Sequence, residues 1–132
     1  ANGAADATAT IALEGAALDV AAGGTFVLCN ARVDDMLLAP ACDQLDGGLS
    51  FNGNDAVALV CRGEILDIIG QIGFDPGEGW EGGGLSTFDR TLRRSCDVDA
   101  GDTNGADDFD PSARWEGFDR DAFDGLGAHC PR

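Results

Sequence analysis

The groups in this chain best suited to chemistry are carboxylates, and they are densest at 97–110, which reads DVDAGDTNGADDFD. Oxygen atoms spaced along a loop are what a calcium ion takes. The twelve-residue calcium loop asks for ligands at positions 1, 3, 5 and 12 with glycine at 6. Setting Gly105 sixth makes Asp102 third and Asn104 fifth, but it leaves Ala100 first and Pro111 last. Starting at Asp102 puts Ala106 fifth and Asp107 sixth. Neither register supplies the ligand set. Asp99, Asp102, Asn104 and Asp107 remain candidates for a looser calcium site. The alternative is a series of Asx and glycine turns with solvated carboxylates.

The basic counterpart is Arg90, Arg93 and Arg94. A guanidinium matches phosphate bidentately, so the cluster is a candidate anion grip. On a strand, however, Arg93 and Arg94 point to opposite faces. With 24 acids against 8 bases, pairing with carboxylates is the expected use. His129 is the sole imidazole and stands beside Cys130, a pairing that activates thiolates elsewhere. It lies in a glycine-rich terminal stretch without a frame. No Ser/His/Asp set, phosphate loop or HExxH occurs. We therefore assign no catalytic residue and no cofactor, calcium aside, and expect no enzyme activity from this chain alone.

The totals agree with that. The chain has 132 residues, 44% of them hydrophobic, and a net charge of −16. One domain with a core is expected. Such charge repels nucleic acid and anionic membrane, and it favours cations and basic partners. No run approaches the ~20 apolar residues of a membrane helix. Five cysteines, without any CxxC pair, argue against structural zinc and for disulfides in an oxidising compartment, hence an extracellular or cell-surface location. Choosing the leftover thiol in five ways and pairing the rest in three gives fifteen two-bridge arrangements, and spacing alone selects none.

The elements that position these groups centre on 48–77. Apolar runs at 56–61 and 65–72 are joined by Arg62, Gly63 and Glu64, the pattern of a β-hairpin. The first run is apolar on both faces, which suits the middle of a sheet. Alternation predicts further strands at 8–13, 25–30 and 86–94. Asp34 is placed to cap a short helix over 35–39, stopped by Pro40. Residues 1–7 read as a frayed or cut end, 8–127 as the domain and 128–132 as a tail. Beyond residue 97 we expect ordered loops with few strands.

One motif recurs. Phe74-Asp75-Pro76 is followed by Trp80-Glu81-Gly82, and Phe109-Asp110-Pro111 by Trp115-Glu116-Gly117, both as FDPxxxWEG. Asp before Pro suits a helix start, and one turn would carry each Trp back to the body. Phe74, Trp80, Phe109 and Trp115 are therefore expected to anchor loops, in preference to stacking sugars or bases.

Three segments carry a family resemblance: TIALEGAALDVAAGGTFVLCN at 10–30, FNGNDAVALVCRGEILDIIGQIGFDPGEGW at 51–80, and TLRRSCDVDAGDTNGADDFDPSARWEGFDRDAFDGLG at 91–127. In this order they resemble the lamin-tail domain, most closely the copies in bacterial secreted nucleases and related endonuclease/exonuclease/phosphatase proteins. The resemblance implies an all-β, immunoglobulin-like β-sandwich with a loop-rich C-terminal third. It implies an accessory module that mediates interaction or tethering, with a protein partner or an attached catalytic domain, and no catalytic residues. Family members open with a strand resembling INEI, and nothing like it precedes Thr8. One or two N-terminal strands are thus expected to be missing, leaving an edge open to pairing with another chain. A calcium-dependent adhesion or scaffolding module is the alternative, on the strength of 97–110.

Within that frame the cysteines at strand ends predict bridges Cys29–Cys42 and Cys61–Cys96, with Cys130 a free thiol. Cys29 ends a strand and Cys42 follows an excursion that must return to the sheet. Cys61 and Cys96 each end a strand, where neighbours are within bridging reach.

Overall fold

A computed structural model describes residues 3–15, 19–33 and 38–130. The chain forms two compact units. One comprises 1–8 with 51–122, the other 9–50 with 123–132. Secondary structure is almost all β. Among the described residues, eight short strands form four two-stranded sheets.

In the larger unit, β3 (Val57–Cys61) and β4 (Glu64–Ile69) make the expected hairpin. The turn is tighter than expected. Cys61 pairs with Glu64 across a two-residue loop, and Arg62 and Gly63 both have positive φ (52° and 87°). That is the type I′ geometry whose twist matches the strands. The register slips between Leu59 and Val60, so Leu66 is an extra residue bulged out of β4. Ile68, 3% exposed, is the point at which the hairpin enters the core. Gly70 ends the pairing with φ 90°. A side chain there would fall within 2.7 Å of Trp80 Cη2 and 3.0 Å of the Ala56 Cα.

The expectation that the first hairpin strand lies mid-sheet is corrected. Among the described residues β3 pairs only with β4, and Ala58 to Cys61 are all exposed. The apolarity of both β3 faces reflects projection away from the body, because only the base of the hairpin reaches the core.

The expected strand at 86–94 is two. β5 (Glu81–Gly82) pairs with β6 (Leu85–Ser86), and β7 (Thr91–Arg94) pairs with β8 (Trp115–Phe118). The break falls at Asp89, whose φ is 49° and whose N–H bonds to the Asn52 carbonyl (3.1 Å). β8 lies in the region expected to be loop. Its ladder continues past the strand end through Ser95 N–H to the Arg114 carbonyl (2.9 Å).

In the smaller unit, β1 (Leu28–Asn30) and β2 (Gln44–Asp46) pair in parallel. The segment expected as a strand at 8–13 is not one. Its polar backbone is held by a side chain: Gln44 Oε1 accepts from Glu14 N–H (3.1 Å) and Nε2 donates to the Ala12 carbonyl (2.8 Å). Alternation alone cannot distinguish a partner strand from an amide side chain. Most of the expected helix at 35–39, with its cap Asp34, lies outside the described residues. Pro40 sits within a 3-10 turn, Ala39–Ala41, where its fixed φ is suited to the first helical positions.

Candidate functional site

The two FDPxxxWEG copies build one structure. Asp75 Oδ1 accepts from Gly77 N–H (2.9 Å), and Asp110 Oδ1 accepts from Ser112 N–H (2.8 Å), so each Asp reaches past its own proline to the N–H two residues on. The second copy goes on to a 3-10 turn, Pro111–Ala113, with Pro111 buried. The Ser112 hydroxyl adds a 2.7 Å bond to Asp110 Oδ1. These bonds, the side-chain one first, hold the Asp110 carboxyl below its ordinary value of 3.8.

The copies then pack on each other. Trp80, 6% exposed, meets the edge of Phe109 at 5.6 Å with rings 81° apart. Gly82 lies against the Asp110 carboxylate, where any Cβ would collide, and Gly117 lies against the Leu85 methyls. Thr87 is buried against the first copy. Its hydroxyl accepts from Trp80 N–H (2.9 Å) and donates to the Gly53 carbonyl (2.5 Å). Phe74 differs from the other three aromatics expected as anchors: it is exposed, and its copy of the motif forms a turn without a helix.

The arginines are held by rings and carboxylates. As alternation predicts, Arg93 and Arg94 leave β7 on opposite faces. Arg93 stacks over Phe118 (4.2 Å) and donates to the Ala122 carbonyl (3.3 Å). Arg94 stacks over Trp115, its direct cross-strand partner (4.4 Å), and pairs with Asp67 (2.5 Å). Arg90 pairs with Asp119 (3.2 Å), and Arg120 with Asp89 (2.9 Å). Leu85, Ser86, Arg90, Gly117 and Phe118 line an open depression of about 440 Å³.

Asp67 also organises the acidic run. Its Oδ1 accepts from Asp102 N–H (2.8 Å) and from Ile68 N–H (3.0 Å). Gly101 passes so close to the Leu66 carbonyl that no side chain fits there, and the Gly105 carbonyl accepts from Ile72 N–H (2.8 Å). The run is thus laid along β4. Within it, Asp102 Oδ1 accepts from Asn104 N–H (3.0 Å) and Asn104 Oδ1 from Ala106 N–H (3.3 Å), successive Asx turns. Two of the four calcium candidates therefore serve local backbone. Asp99 and Asp107 are exposed, and among the described residues no three His, Cys, Asp or Glu converge on one point.

The cysteine expectation is corrected in part. Cys29 and Cys42 are bridged, with Cα atoms 5.8 Å apart. Cys61 is a free, exposed thiol, and Cys96 and Cys130 are both disulfide-bonded. The reason is positional. Cys61 ends β3 beside the two-residue turn, at the far tip of the hairpin, whereas Cys96 sits in the turn after β7. Cys130 Sγ lies 3.6 Å from its neighbour His129 Nε2, but in a disulfide it carries no thiolate for the imidazole to activate.

Three of the exposed large hydrophobics cluster on the hairpin. Leu59 is 46% exposed, Val60 54% and Leu66 47%. Sequence reasoning missed this surface. The signal was the absence of any charge from Ala56 to Cys61 in a chain otherwise so acidic. Compared with known proteins, the chain matches no family model, no curated protein and no solved structure.

Proposed function

We propose that this chain is a non-catalytic interaction module of a secreted bacterial protein, of the extracellular nuclease kind, that tethers it to a protein partner or positions its catalytic domain. The lamin-tail, immunoglobulin-like sandwich is the fold that goes with this reading, and the all-β character supports it. The observation that carries the reading is the β3–β4 hairpin. Strand edges are ordinarily guarded by a charge, a proline or a bulge, because a bare edge recruits other chains. β3 has none of these over Val57–Cys61, and the bulge is on β4, which leaves β3 open. The groups with chemical potential are meanwhile used internally: Arg94 by Trp115 and Asp67, Asp102 and Asn104 by backbone N–H groups. Disulfide bonding of four cysteines supports an oxidising, extracellular setting.

The test is direct. Purified chain is assayed with magnesium, manganese, calcium or zinc against DNA, RNA and simple phosphoesters. We expect no turnover above a mock preparation. Hydrolysis that follows the chain through repeated purification overturns the reading.

A further inference from the structure

We infer that the partner of the β3 edge is a second copy of this chain, joined by antiparallel β3–β3′ pairing on a two-fold axis through Leu59. The inference deepens the interaction-module reading by naming what its open edge binds.

Three observations carry it. The first is the direction of the backbone groups. Cys61 and Glu64 flank a two-residue turn, and such a pair exchanges both of its hydrogen bonds. Residues alternate along β3, so Leu59 and Val57 also turn their N–H and C=O groups inward to β4. Ala58 and Val60 turn theirs outward, unpaired. A two-fold axis at Leu59 sets Ala58 opposite Val60′ and Val60 opposite Ala58′. All four outward N–H and C=O pairs then meet, with Leu59 and Leu59′ as the non-hydrogen-bonded pair between them.

The second observation is side-chain matching. In this register Val57 faces Cys61′, Leu59 faces Leu59′ and Cys61 faces Val57′ on one side of the new sheet. Ala58 faces Val60′ on the other. Every position from Val57 to Cys61 is apolar, so no charge is buried. Exposed Leu59 and Val60 are both covered. The third is complementarity of the ends. Asp55 lies two residues before β3 and Arg62 directly after it, and antiparallel pairing brings each Arg62 to the end of the partner strand near Asp55. An isologous contact requires this self-complementarity. The product is a four-stranded sheet, β4–β3–β3′–β4′, with Cys61 covered but not bridged to its symmetry mate.

The interface is small, so the dimer is a weak one. Each copy carries −16, so association strengthens as salt is raised. A basic partner would show the opposite dependence.

Sedimentation equilibrium of the full chain, up to about 1 mM, at about 0.05 M and about 0.5 M salt tests this. We expect dimer at the higher salt and at least about a threefold weaker association at the lower. Leu59→Lys, which sets two ammonium groups face to face, should weaken it at least about tenfold. Arg62→Asp should weaken it, and the double exchange Asp55→Arg with Arg62→Asp should restore it. Leu59→Cys in a Cys61→Ser background should form a covalent dimer on mild oxidation, bridged between the two introduced thiols, because a non-hydrogen-bonded antiparallel pair brings Cα atoms to about 4.5 Å. A chain that stays monomeric at every concentration and salt overturns the inference and leaves the non-catalytic reading standing. A dimer unaffected by Leu59→Lys overturns it too, as does one bridged through native Cys61.

Discussion

Gly70 is where the hairpin, the tryptophan and the backbone meet, and its replacement by alanine has a cost that can be worked out. Two effects add. The residue has φ 90°, and an L side chain in left-handed backbone costs about 1–2 kcal/mol. The new methyl would also stand 2.7 Å from Trp80 Cη2 and 3.0 Å from both Trp80 Cζ3 and Ala56 Cα. Trp80 is buried against Phe109, and Ala56 Cα is main chain, so neither yields cheaply; overpacking of this kind costs about 1–3 kcal/mol. The sum is about 2–5 kcal/mol, a large share of the ~5–15 kcal/mol by which domains are stable. Gly73 provides the control. Its φ is 80°, and nothing lies within 4 Å of where its Cβ would be. Gly73→Ala should therefore show the backbone effect alone, about 1–2 kcal/mol. Urea unfolding followed by circular dichroism measures both. Trp80→Leu removes the two ring atoms in the way, so Gly70→Ala in that background should cost about 1–2 kcal/mol less than in the native chain. Equal costs at Gly70 and Gly73, or strict additivity of Gly70→Ala with Trp80→Leu, would refute the close-approach argument.

The remaining expectations concern single groups. Thr87→Val leaves Trp80 N–H and the Gly53 carbonyl without their partner and should cost about 2–4 kcal/mol in urea unfolding, whereas Thr87→Ser, which keeps the hydroxyl, should cost about 1 kcal/mol. The Asp110 carboxyl is held below 3.8, so its contribution to stability is fully present above the unfolded value and is lost as pH falls through the folded one. Urea midpoints between about pH 5 and about pH 2 should fall more steeply for the native chain than for Asp110→Asn, and the two should converge at the acid end. Thiol titration of the unreduced, unfolded chain should find one cysteine and that of the reduced chain five, and mass mapping should place the single thiol at Cys61. Removing the 29–42 bridge by paired alanines should cost about 3 kcal/mol, as expected for closing a loop of this length.

What could be read in the sequence was what neighbouring residues decide. The hairpin follows from two apolar runs about one tight turn, and Arg62-Gly63 supplies the positive φ that the turn demands. The opposite-face placement of Arg93 and Arg94 follows from strand geometry alone. The Cys29–Cys42 bridge was legible because the intervening chain leaves and returns to one short sheet. Cys61 was not legible in the same way. It ends β3, whereas Cys29 lies within β1, and whether a strand end points to the body or to solvent depends on which end of the hairpin is anchored. The anchor is Ile68 with Gly70 against Trp80, residues on the other strand and on a loop.

The repeated FDPxxxWEG motif shows the same limit from another side. Each copy was visible, and each aspartate does accept the backbone N–H two residues on. That the copies pack together rests on glycines, which carry no hydrophobic signal. Gly82 admits the Asp110 carboxylate, Gly117 admits Leu85 and Gly105 admits Ile68 and Ile72. Contacts made by the absence of a side chain leave no periodicity to detect. The same reasoning explains how a chain so rich in acid packs at all. Asp67, Asp75, Asp102 and Asp110 each accept backbone N–H groups beside them or along β4, so these carboxylates act as local main-chain acceptors while the net charge stays on the surface. An isolated apolar edge on that surface stands out electrostatically as well as chemically. Repulsion over a molecule of charge −16 opposes every self-contact, β3 pairing included, but the uncharged stretch Val57–Cys61 adds no local like-charge clash to it.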